Sequence, residues 1–249
     1  LLSIAIQKQH QNIIDYLFTN DIWKKYPHDS VEYVYAAHNC DLDMLKFLHD
    51  HQCPRDFINT PYDMWKKIAQ NGRMDCMEYL HRQGWEWYDK YFDSVCCHAA
   101  RNGHLEVLNY AVTHGCKMTG KTIYKSAKHG HLSCLVYAFK HGCPITKEAC
   151  CIAAGKGHVE CLDYMLKHGG HCDANMYYQA IANGQKHCLD YLEQQKCPRC
   201  TSPLLASIFW EQTECLLYLL SLNISWSGNG EARPHSHAPS TVDTRDPRQ

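Results

Sequence analysis

An aromatic residue recurs eight times along this chain, each time within the same short motif. The steps between successive occurrences are 31, 32, 31, 27, 27, 27 and 27 residues. A regular spacing of this size, with similar residues around each occurrence, indicates one supersecondary unit repeated in tandem. Such arrays act mainly through an extended surface and not through a buried pocket. The eight positions are Tyr16, Phe47, Tyr79, Tyr110, Tyr137, Tyr164, Tyr191 and Tyr218.

The second half of each repeat has the period of a helix. In the clearest copies, residues 99–110 read AARNGHLEVLNY and residues 153–164 read AAGKGHVECLDY. Counting from the glycine of the motif as zero, positions +4, +5 and +8 are apolar and position +7 is aromatic. This spacing predicts one apolar stripe along a helix. A helix of roughly 8–12 residues does not persist alone in water, so we expect neighbouring repeats to bury the stripe, including aromatics such as Tyr164.

A first helix precedes the glycine in each repeat. Small residues at −4 and −3, such as Ala99 and Ala100, allow two helix backbones to come close. We expect the glycine to end the first helix in a left-handed conformation, and a glycine or Asx residue at +12 to end the second helix. Some copies lack these residues, and we expect less regular stacking there. The replacements are Gln9, Cys40 and Glu211 at zero, and Gln52 and Lys196 at +12.

These features predict an all-α solenoid of about eight stacked helix–turn–helix repeats with short hairpin loops, spanning residues 1–223. The remaining residues, 224–249, contain few apolar side chains and are predicted to be a disordered tail. The chain begins with Leu1, inside a repeat, and we interpret it as a fragment. Its first six residues are apolar but too short and lack a basic lead-in, so they do not resemble a signal peptide.

Residues 99–108 resemble the ankyrin repeat, whose pattern is T-P-L-H-x-A-A-x-x-G-H-L-E-V-V. Residues 202–205, Ser-Pro-Leu-Leu, are similar to the opening of that pattern. The pattern GHLxCLxY…HGCP, seen at residues 130–144, looks most like the degenerate ankyrin arrays of giant DNA viruses and some protists. Ankyrin repeats usually run 33 residues, so the 27-residue steps imply that the hairpin finger between repeats is trimmed. The resemblance covers residues 1–223.

The resemblance implies a non-catalytic scaffold for protein–protein interaction that binds a partner protein on the concave surface of first helices and loops. In the family, the polar pair after the small residues faces the partner. Exposed tryptophans in the longer connectors are further candidates, although they could equally fill space beside those connectors. The candidate residues are His38, Asn39, Gln70, Asn71, Trp85, Trp87, Arg101, Asn102, Lys128, His129, Lys156 and Asn183. The connector aromatics also include Trp23, Tyr26, Phe57, Tyr62, Tyr88, Tyr91 and Phe92.

Sixteen cysteines and eighteen histidines raise the alternative of a metal- or redox-responsive protein. Most cysteines fall in repeat columns, where buried thiols act as small hydrophobes. Equivalent positions on stacked helices lie about 8–10 Å apart, too far for disulfides, so a reducing compartment such as the cytoplasm is expected. The pairs His131/Cys134 and His158/Cys161 and the lone CxxC at Cys197 do not complete a zinc site. We therefore expect no metal, no cofactor and no catalytic residue.

The net charge and the lengths of the apolar runs indicate whether a nucleic acid, a membrane or another protein is the expected partner. The formal net charge is −1 and the isoelectric point is about 7.0, which argues against a nucleic-acid-binding protein. No apolar run approaches the roughly 20 residues that span a bilayer. A monomer that binds another protein is therefore expected. By analogy alone, it could instead be the substrate-recruiting arm of a ubiquitin-ligase adaptor.

Overall fold

The computed structural model describes residues 1–25, 31–53, 60–87 and 94–224, with the side chains of residues 60–62 excepted. These residues form sixteen α-helices, one short 3-10 helix at Ile22–Lys25, and no strand. The helices are α1 Leu2–Gln7, α2 Gln11–Thr19, α3 Val31–His38, α4 Leu42–Asp50, α5 Thr60–Asn71, α6 Met74–Arg82, α7 Val95–Asn102, α8 Leu105–Thr113, α9 Gly120–His129, α10 Leu132–Lys140, α11 Lys147–Lys156, α12 Val159–Lys167, α13 Ala174–Ala182, α14 Lys186–Gln194, α15 Pro203–Phe209 and α16 Thr213–Ser221.

The chain divides into two compact units, an N-terminal unit Leu1–Thr122 and a C-terminal unit Ile123–Gln249. Within each unit, a first helix packs on the first helix of the next repeat, as α1 does on α3 and α11 on α13. Second helices pack on second helices in the same way, as α4 does on α6 and α12 on α14. Each unit is thus a stack of helix pairs in sequence order. The predicted all-α solenoid of helix–turn–helix repeats is confirmed.

The core of each stack consists of the predicted columns. All eight side chains at +8 are buried, from Leu17 to Leu219, and so are seven of the eight at +4. Ile13, at +4 of the first repeat, is the exposed member. The small residues at −4 and −3 are buried where first helices meet. Five cysteines occupy +4 and are buried, as expected from the repeat: Cys76, Cys134, Cys161, Cys188 and Cys215.

The aromatic column at +7 is not part of this core, and that expectation was wrong. Tyr164 is half-buried and stacks on His168 one turn later, with ring centroids 4.0 Å apart. In two later repeats the tyrosine hydroxyl reaches back to the preceding repeat: Tyr191 donates to Asp163 at 2.9 Å, and Tyr218 donates to Asp190 at 3.0 Å. The aromatic ring lies on the side of the second helix, because +7 is nearly a full turn beyond +4 but offset from the buried stripe.

Both turns of every repeat hold a left-handed residue, whichever amino acid stands there. Gln52 and Lys196, which break the sequence rule at +12, have φ of 54° and 55°. The residues at zero behave alike, with Glu211 at φ 55° and Cys40 at φ 57°. After each of these left-handed residues except Asp21 and Asn223, the next amide donates to a carbonyl five residues back, as Cys197 does to Leu192 at 2.9 Å. This hydrogen bond is the Schellman cap, and the expected irregularity of these turns is absent from the backbone.

The motif histidine connects one repeat to the one before it. His158 Nε2 lies 3.2 Å from the carbonyl oxygen of Lys128, at the end of α9. His104 contacts the carbonyl of Gln70 at 3.0 Å in the same way. The imidazole thereby satisfies a helix-end carbonyl that lacks an intrahelical partner. The ring also covers the motif glycine of the preceding repeat, so a Cβ built on Gly130 would lie 2.6 Å from His158 Nδ1.

Gly130→Ala is therefore predicted to lower the free energy of unfolding more than the same substitution at another left-handed glycine does. We expect a loss of about 2–3 kcal/mol in the free energy of unfolding, from the left-handed backbone, the clash with His158 and its weakened hydrogen bond. Gly142 is the matched control, since it has φ of 87° and nothing within 4 Å of its Cβ position. Gly142→Ala should cost about 1 kcal/mol. Urea denaturation measures both, and equal losses would contradict the role of His158.

Candidate functional site: the first-helix surface

The predicted polar pairs lie at the ends of the first helices and are not buried, unlike the small residues that directly precede them. They form one row on the first helices of each unit, which we call the first-helix surface. In the N-terminal unit the row consists of His38, Asn39, Gln70, Asn71, Arg101 and Asn102. In the C-terminal unit it consists of Lys128, His129, Lys156 and Asn183. The tight turn and its left-handed residue follow each pair directly, which fixes the position of the row.

Some of these side chains hold the stack together. Asn39 donates to the carbonyl of Ile6 in the preceding repeat at 2.8 Å. Asn71 makes the equivalent contact to the carbonyl of His38 at 3.4 Å and also approaches the sulfur of Cys40 at 3.0 Å. Two backbone carbonyls at helix ends are thereby satisfied. These two asparagines serve the packing of the repeats, and a partner would compete with that role.

The asparagines of later repeats instead bond within their own helix. Asn102 donates to the carbonyl of His98 at 2.9 Å, and Asn183 donates to the carbonyl of Gln179 at 2.9 Å. Each leaves its amide oxygen pointing away from that bond. Arg101 is exposed beside Asn102, and Lys156 is half-exposed at the end of α11. These positions offer hydrogen-bonding groups that are not needed to stack one repeat on another.

The two candidate tryptophans have structural roles. Trp85 is 1% exposed and packs 5.3 Å from Tyr33, so its ring is not accessible to a partner. Trp87 is half-buried, and its indole nitrogen donates to the carbonyl of His114 at 2.7 Å. It also stacks on His81 with ring centroids 5.1 Å apart. We leave Trp85 out of the proposed surface for this reason.

The other connector aromatics are only partly described. Trp23 is buried and stacks on Phe18, with ring centroids 5.1 Å apart, so it too fills space beside a connector. Tyr26, Phe57, Tyr88, Tyr91, Phe92 and the side chain of Tyr62 lie outside the described residues. The proposed tail, residues 225–249, lies outside them as well.

Sequence reasoning missed the last pair of the row, Phe209 and Trp210. The sequence analysis sought a polar pair at these positions, and this repeat has two aromatic residues there. Counting from Glu211 at position zero places Phe209 and Trp210 at −2 and −1. Phe209 is 60% exposed, and Trp210 donates its indole N–H to the hydroxyl of Tyr178 on α13 at 2.9 Å. The row of the C-terminal unit therefore ends in an aromatic cluster.

The cysteines do not form a reactive site in the core. Burial raises the pKa of the Cys76 and Cys188 thiols to about 12, and that of the Cys134 and Cys161 thiols to about 11. A thiol with such a pKa is protonated at neutral pH and is a poor nucleophile and a poor metal ligand. Across the described part of the chain, no three His, Cys, Asp or Glu side chains converge as they would around a metal ion.

One cysteine pair contradicts the expectation that disulfides are absent. Cys172, before α13, and Cys197, after α14, are joined by a disulfide, with their Cα atoms 5.4 Å apart. The expectation considered equivalent columns on neighbouring helices. Cys172 stands at +15 of its repeat and Cys197 at +13 of the next, and two non-equivalent loop positions can meet where equivalent ones cannot. The disulfide connects the loops that lead from one repeat to the next.

An ion pair between an exposed arginine and a half-buried glutamate orders the second of these loops. Arg199 binds Glu193 through two hydrogen bonds of 2.7 and 2.6 Å, and Tyr177 donates to the same carboxylate at 2.5 Å. The hydrogen bond from Arg199, and then that from Tyr177, lower the pKa of Glu193 despite partial burial. Burial and the carboxylate together raise the pKa of the Tyr177 hydroxyl. The loop 195–202 is thus held against α13 and α14.

Glu193→Gln is predicted to destabilise the C-terminal unit in a pH-dependent way. At pH 7 we expect a loss of about 1–2 kcal/mol in the free energy of unfolding, because the hydrogen bonds from Arg199 and Tyr177 lose a charged acceptor while the exposed Arg199 stays solvated. The folded-state pKa of Glu193 lies below the unfolded value of about 4.3, so the stabilisation is present above that pH and is lost as the pH falls through the folded pKa.

Urea denaturation at pH 7 and at about pH 3 checks this prediction, because the gap between wild type and variant should shrink in acid. The exposed Glu214 on α16 provides the control substitution Glu214→Gln, which should change little at either pH. A gap of the same size at both pH values would exclude an ionised Glu193 as the cause.

No helix in residues 1–25, 31–53, 60–87 or 94–224 combines the length and the apolar character of a transmembrane span.

Comparison with known proteins gives the fold and little beyond it. No protein-family model matches the chain, and no curated protein matches its sequence. Among solved structures, the chain is similar to the ankyrin repeat domain of human ASB11, with a TM-score of 0.56. The two sequences are 16% identical, and the similarity covers 67% of this chain and 84% of that chain. At this low identity, the structural similarity shows a shared fold and nothing further.

Proposed function

We propose that this chain, whose fold is that of an ankyrin-repeat domain, binds another protein on its first-helix surface and catalyses no reaction. The observation that carries the proposal is the row of accessible polar side chains at the ends of successive first helices. In the N-terminal unit the accessible members of the row include His38, Arg101 and Asn102, and in the C-terminal unit they are Lys128, His129, Lys156 and Asn183. Asn39 and Asn71 border it and contribute mainly to stacking.

The location of thiols and of hydrogen-bonding side chains within each repeat supports a binding role. The groups that could act as nucleophiles, above all the thiols at +4, are buried and protonated. The accessible groups of the row are amides, ammonium groups and imidazoles, which recognise a polar protein surface through hydrogen bonds and charge. Rigid repeats supply these groups without much ordering on binding, which favours affinity.

Site-specific photo-crosslinking tests the proposal. A photoreactive amino acid is placed at Arg101 or Lys128 on first helices, and at Lys46 or Lys140 on second helices as matched controls, since both control lysines are exposed. In extract from the native cell, protein adducts are expected at the first-helix positions and not at the second-helix positions. Adducts at Lys46 and Lys140 with none at Arg101 or Lys128 would place the binding surface elsewhere.

A redox-responsive role is the second candidate, and the Cys172–Cys197 disulfide favours it. Two thiols and an oxidant of the disulfide class, such as oxidised glutathione, would give the protein disulfide and two molecules of reduced glutathione. In a reducing compartment, the compartment we propose for this chain, the pair would alternate with the dithiol. The bond would then set how firmly the loops beside α13 are held.

Reduction is predicted to lower the stability of the C-terminal unit by about 3 kcal/mol, which is typical of a disulfide with the sequence separation of 25 found for Cys172 and Cys197. Cys172→Ser should melt like the reduced wild type and should not respond to dithiothreitol. Cys200→Ser is the control, because Cys200 is a free thiol in the same loop. Thermal melts with and without reductant measure this loss of stability, and a count of free thiols shows whether the disulfide is formed. A wild type that melts identically in both conditions would refute a redox role.

The substrate-recruiting arm of a ubiquitin ligase is a narrower form of the binding function. It stays a prediction from the resemblance, and the proteins crosslinked at Arg101 or Lys128 would identify a ligase subunit if there is one.

A further inference from the structure

Charge is segregated between the two kinds of helix in the C-terminal unit. Its first helices carry Lys125, Lys128 and Lys156, none of them buried, and one acidic residue, Glu148. Lys147, at the start of α11, pairs with Asp173 at 3.4 Å. The second helices of the unit carry three lysines, Lys140, Lys167 and Lys186, and more acidic residues: Glu160, Asp163, Asp190, Glu193 and Glu214. The first helices are therefore net basic and the second helices net acidic. The first-helix surface of this unit is therefore its basic side.

The lysines are close to one another in the stack. Lys125 and Lys128 are three residues apart on α9 and so share a face of that helix. The contact from His158 to the carbonyl of Lys128 shows that the end of α9 lies against the repeat that contains α11. Lysines at helix ends also balance the helix dipole, which accounts for Lys128 and Lys156 singly.

The other end of the same surface is aromatic and apolar. Phe209 is 60% exposed at the end of α15, and its ring meets that of Trp210 edge-on at 5.0 Å. Trp210 is anchored by its hydrogen bond to Tyr178. Leu205, on the preceding turn of α15, is half-exposed. Aromatic side chains that are held in place by packing and hydrogen bonds are typical anchors of protein interfaces.

The basic and aromatic ends belong to one continuous row. Lys156, Asn183 and Trp210 occupy the same position, −1, in consecutive repeats. The amide nitrogen of Asn183 lies 3.3 Å from where a Cβ on Gly155 would stand, so α11 and α13 approach closely at this level. Four first helices at about 8–10 Å spacing span roughly 27 Å. An extended chain covers that distance in about eight residues.

We propose that this surface binds an extended, acidic protein segment whose acidic side chains contact the lysines and whose aromatic or aliphatic side chain packs on Phe209 and Trp210. The proposal rests on the proposed binding function and specifies the chemistry of its partner. The amides of Gln179 and Asn183 lie between the two ends and can bond to the backbone of the segment. A protein segment fits better than a nucleic acid, because the lysines are few and the exposed Phe209 and Leu205 suit apolar side chains.

The proposal is tested by selecting peptides that bind the full chain from a displayed random library. The peptides are about twelve residues long. The selected peptides should be enriched in Asp and Glu and should carry one Trp, Phe or Leu apart from the acidic group. Lys128→Glu combined with Lys156→Glu should weaken their binding at least about tenfold, and so should Phe209→Ala.

The matched controls are on second helices of the same unit. Lys140→Glu combined with Lys186→Glu changes the same charge, and Leu217→Ala removes an apolar side chain that is 62% exposed. Each should alter binding by less than about twofold. Circular-dichroism melts confirm that every variant folds.

Three outcomes would overturn the proposal: a library that yields no binders or binders without acidic residues, binding that is insensitive to the first-helix substitutions, or tighter binding of a single-stranded oligonucleotide than of the acidic peptides. If crosslinking still maps a partner to the first helices, the binding function stands and only the chemistry of the partner is wrong. Crosslinks confined to second helices would refute both.

Discussion

Contact between consecutive repeats is the interaction on which every other feature of this chain depends. Each helix has six to twelve residues and is too short to be stable alone in water. Its apolar stripe becomes buried only when the next pair packs against it. The residues that bring two pairs together are therefore as important as the buried columns. The left-handed turn, the histidine or asparagine that reaches back to a helix-end carbonyl, and the small residues at −4 and −3 all serve this close approach.

This packing also determines where binding can occur. Nearly all side chains at +4, +5 and +8, and most cysteines with them, are enclosed between repeats, with the exposed Ile13 as the main exception. The second helices present aromatic rings stacked on histidines, and their tyrosine hydroxyls bond to aspartates of the preceding repeat. The ends of the first helices are left with accessible hydrogen-bonding groups at a constant interval. A partner that runs along the stack would meet one such group per repeat, and this regularity is why the first-helix surface is the better candidate.

The sequence pattern predicted more of the architecture than of the site. Periodicity alone identified the helix pairs, the buried columns and both turns, because these depend on local spacing and on burial that repeats identically. It placed Tyr164 in the core, because an aromatic beside an apolar stripe is indistinguishable from one within it until the helix is oriented. It gave Trp85 and Trp87 a possible surface role, whereas Trp85 is buried beside Tyr33 and Trp87 bonds to the carbonyl of His114. It passed over Phe209 and Trp210, because a polar pair was sought at the positions that these two aromatic residues occupy.

By itself, the sequence determined the repeat, its two helices and the residues that each pair must bury, since hydrophobic burial follows the helical period and requires no knowledge of distant parts of the chain. The tertiary structure decided everything that depends on which residues meet across repeats. It turned Gln52 and Lys196 into left-handed caps, because the burial of the adjoining helices outweighs the cost of that conformation in a residue with a Cβ. It also brought Cys172 to Cys197 and gathered the lysines of α9 and α11 on the same side as Trp210, since these distances are set by the stacking of helices and not by separation along the chain.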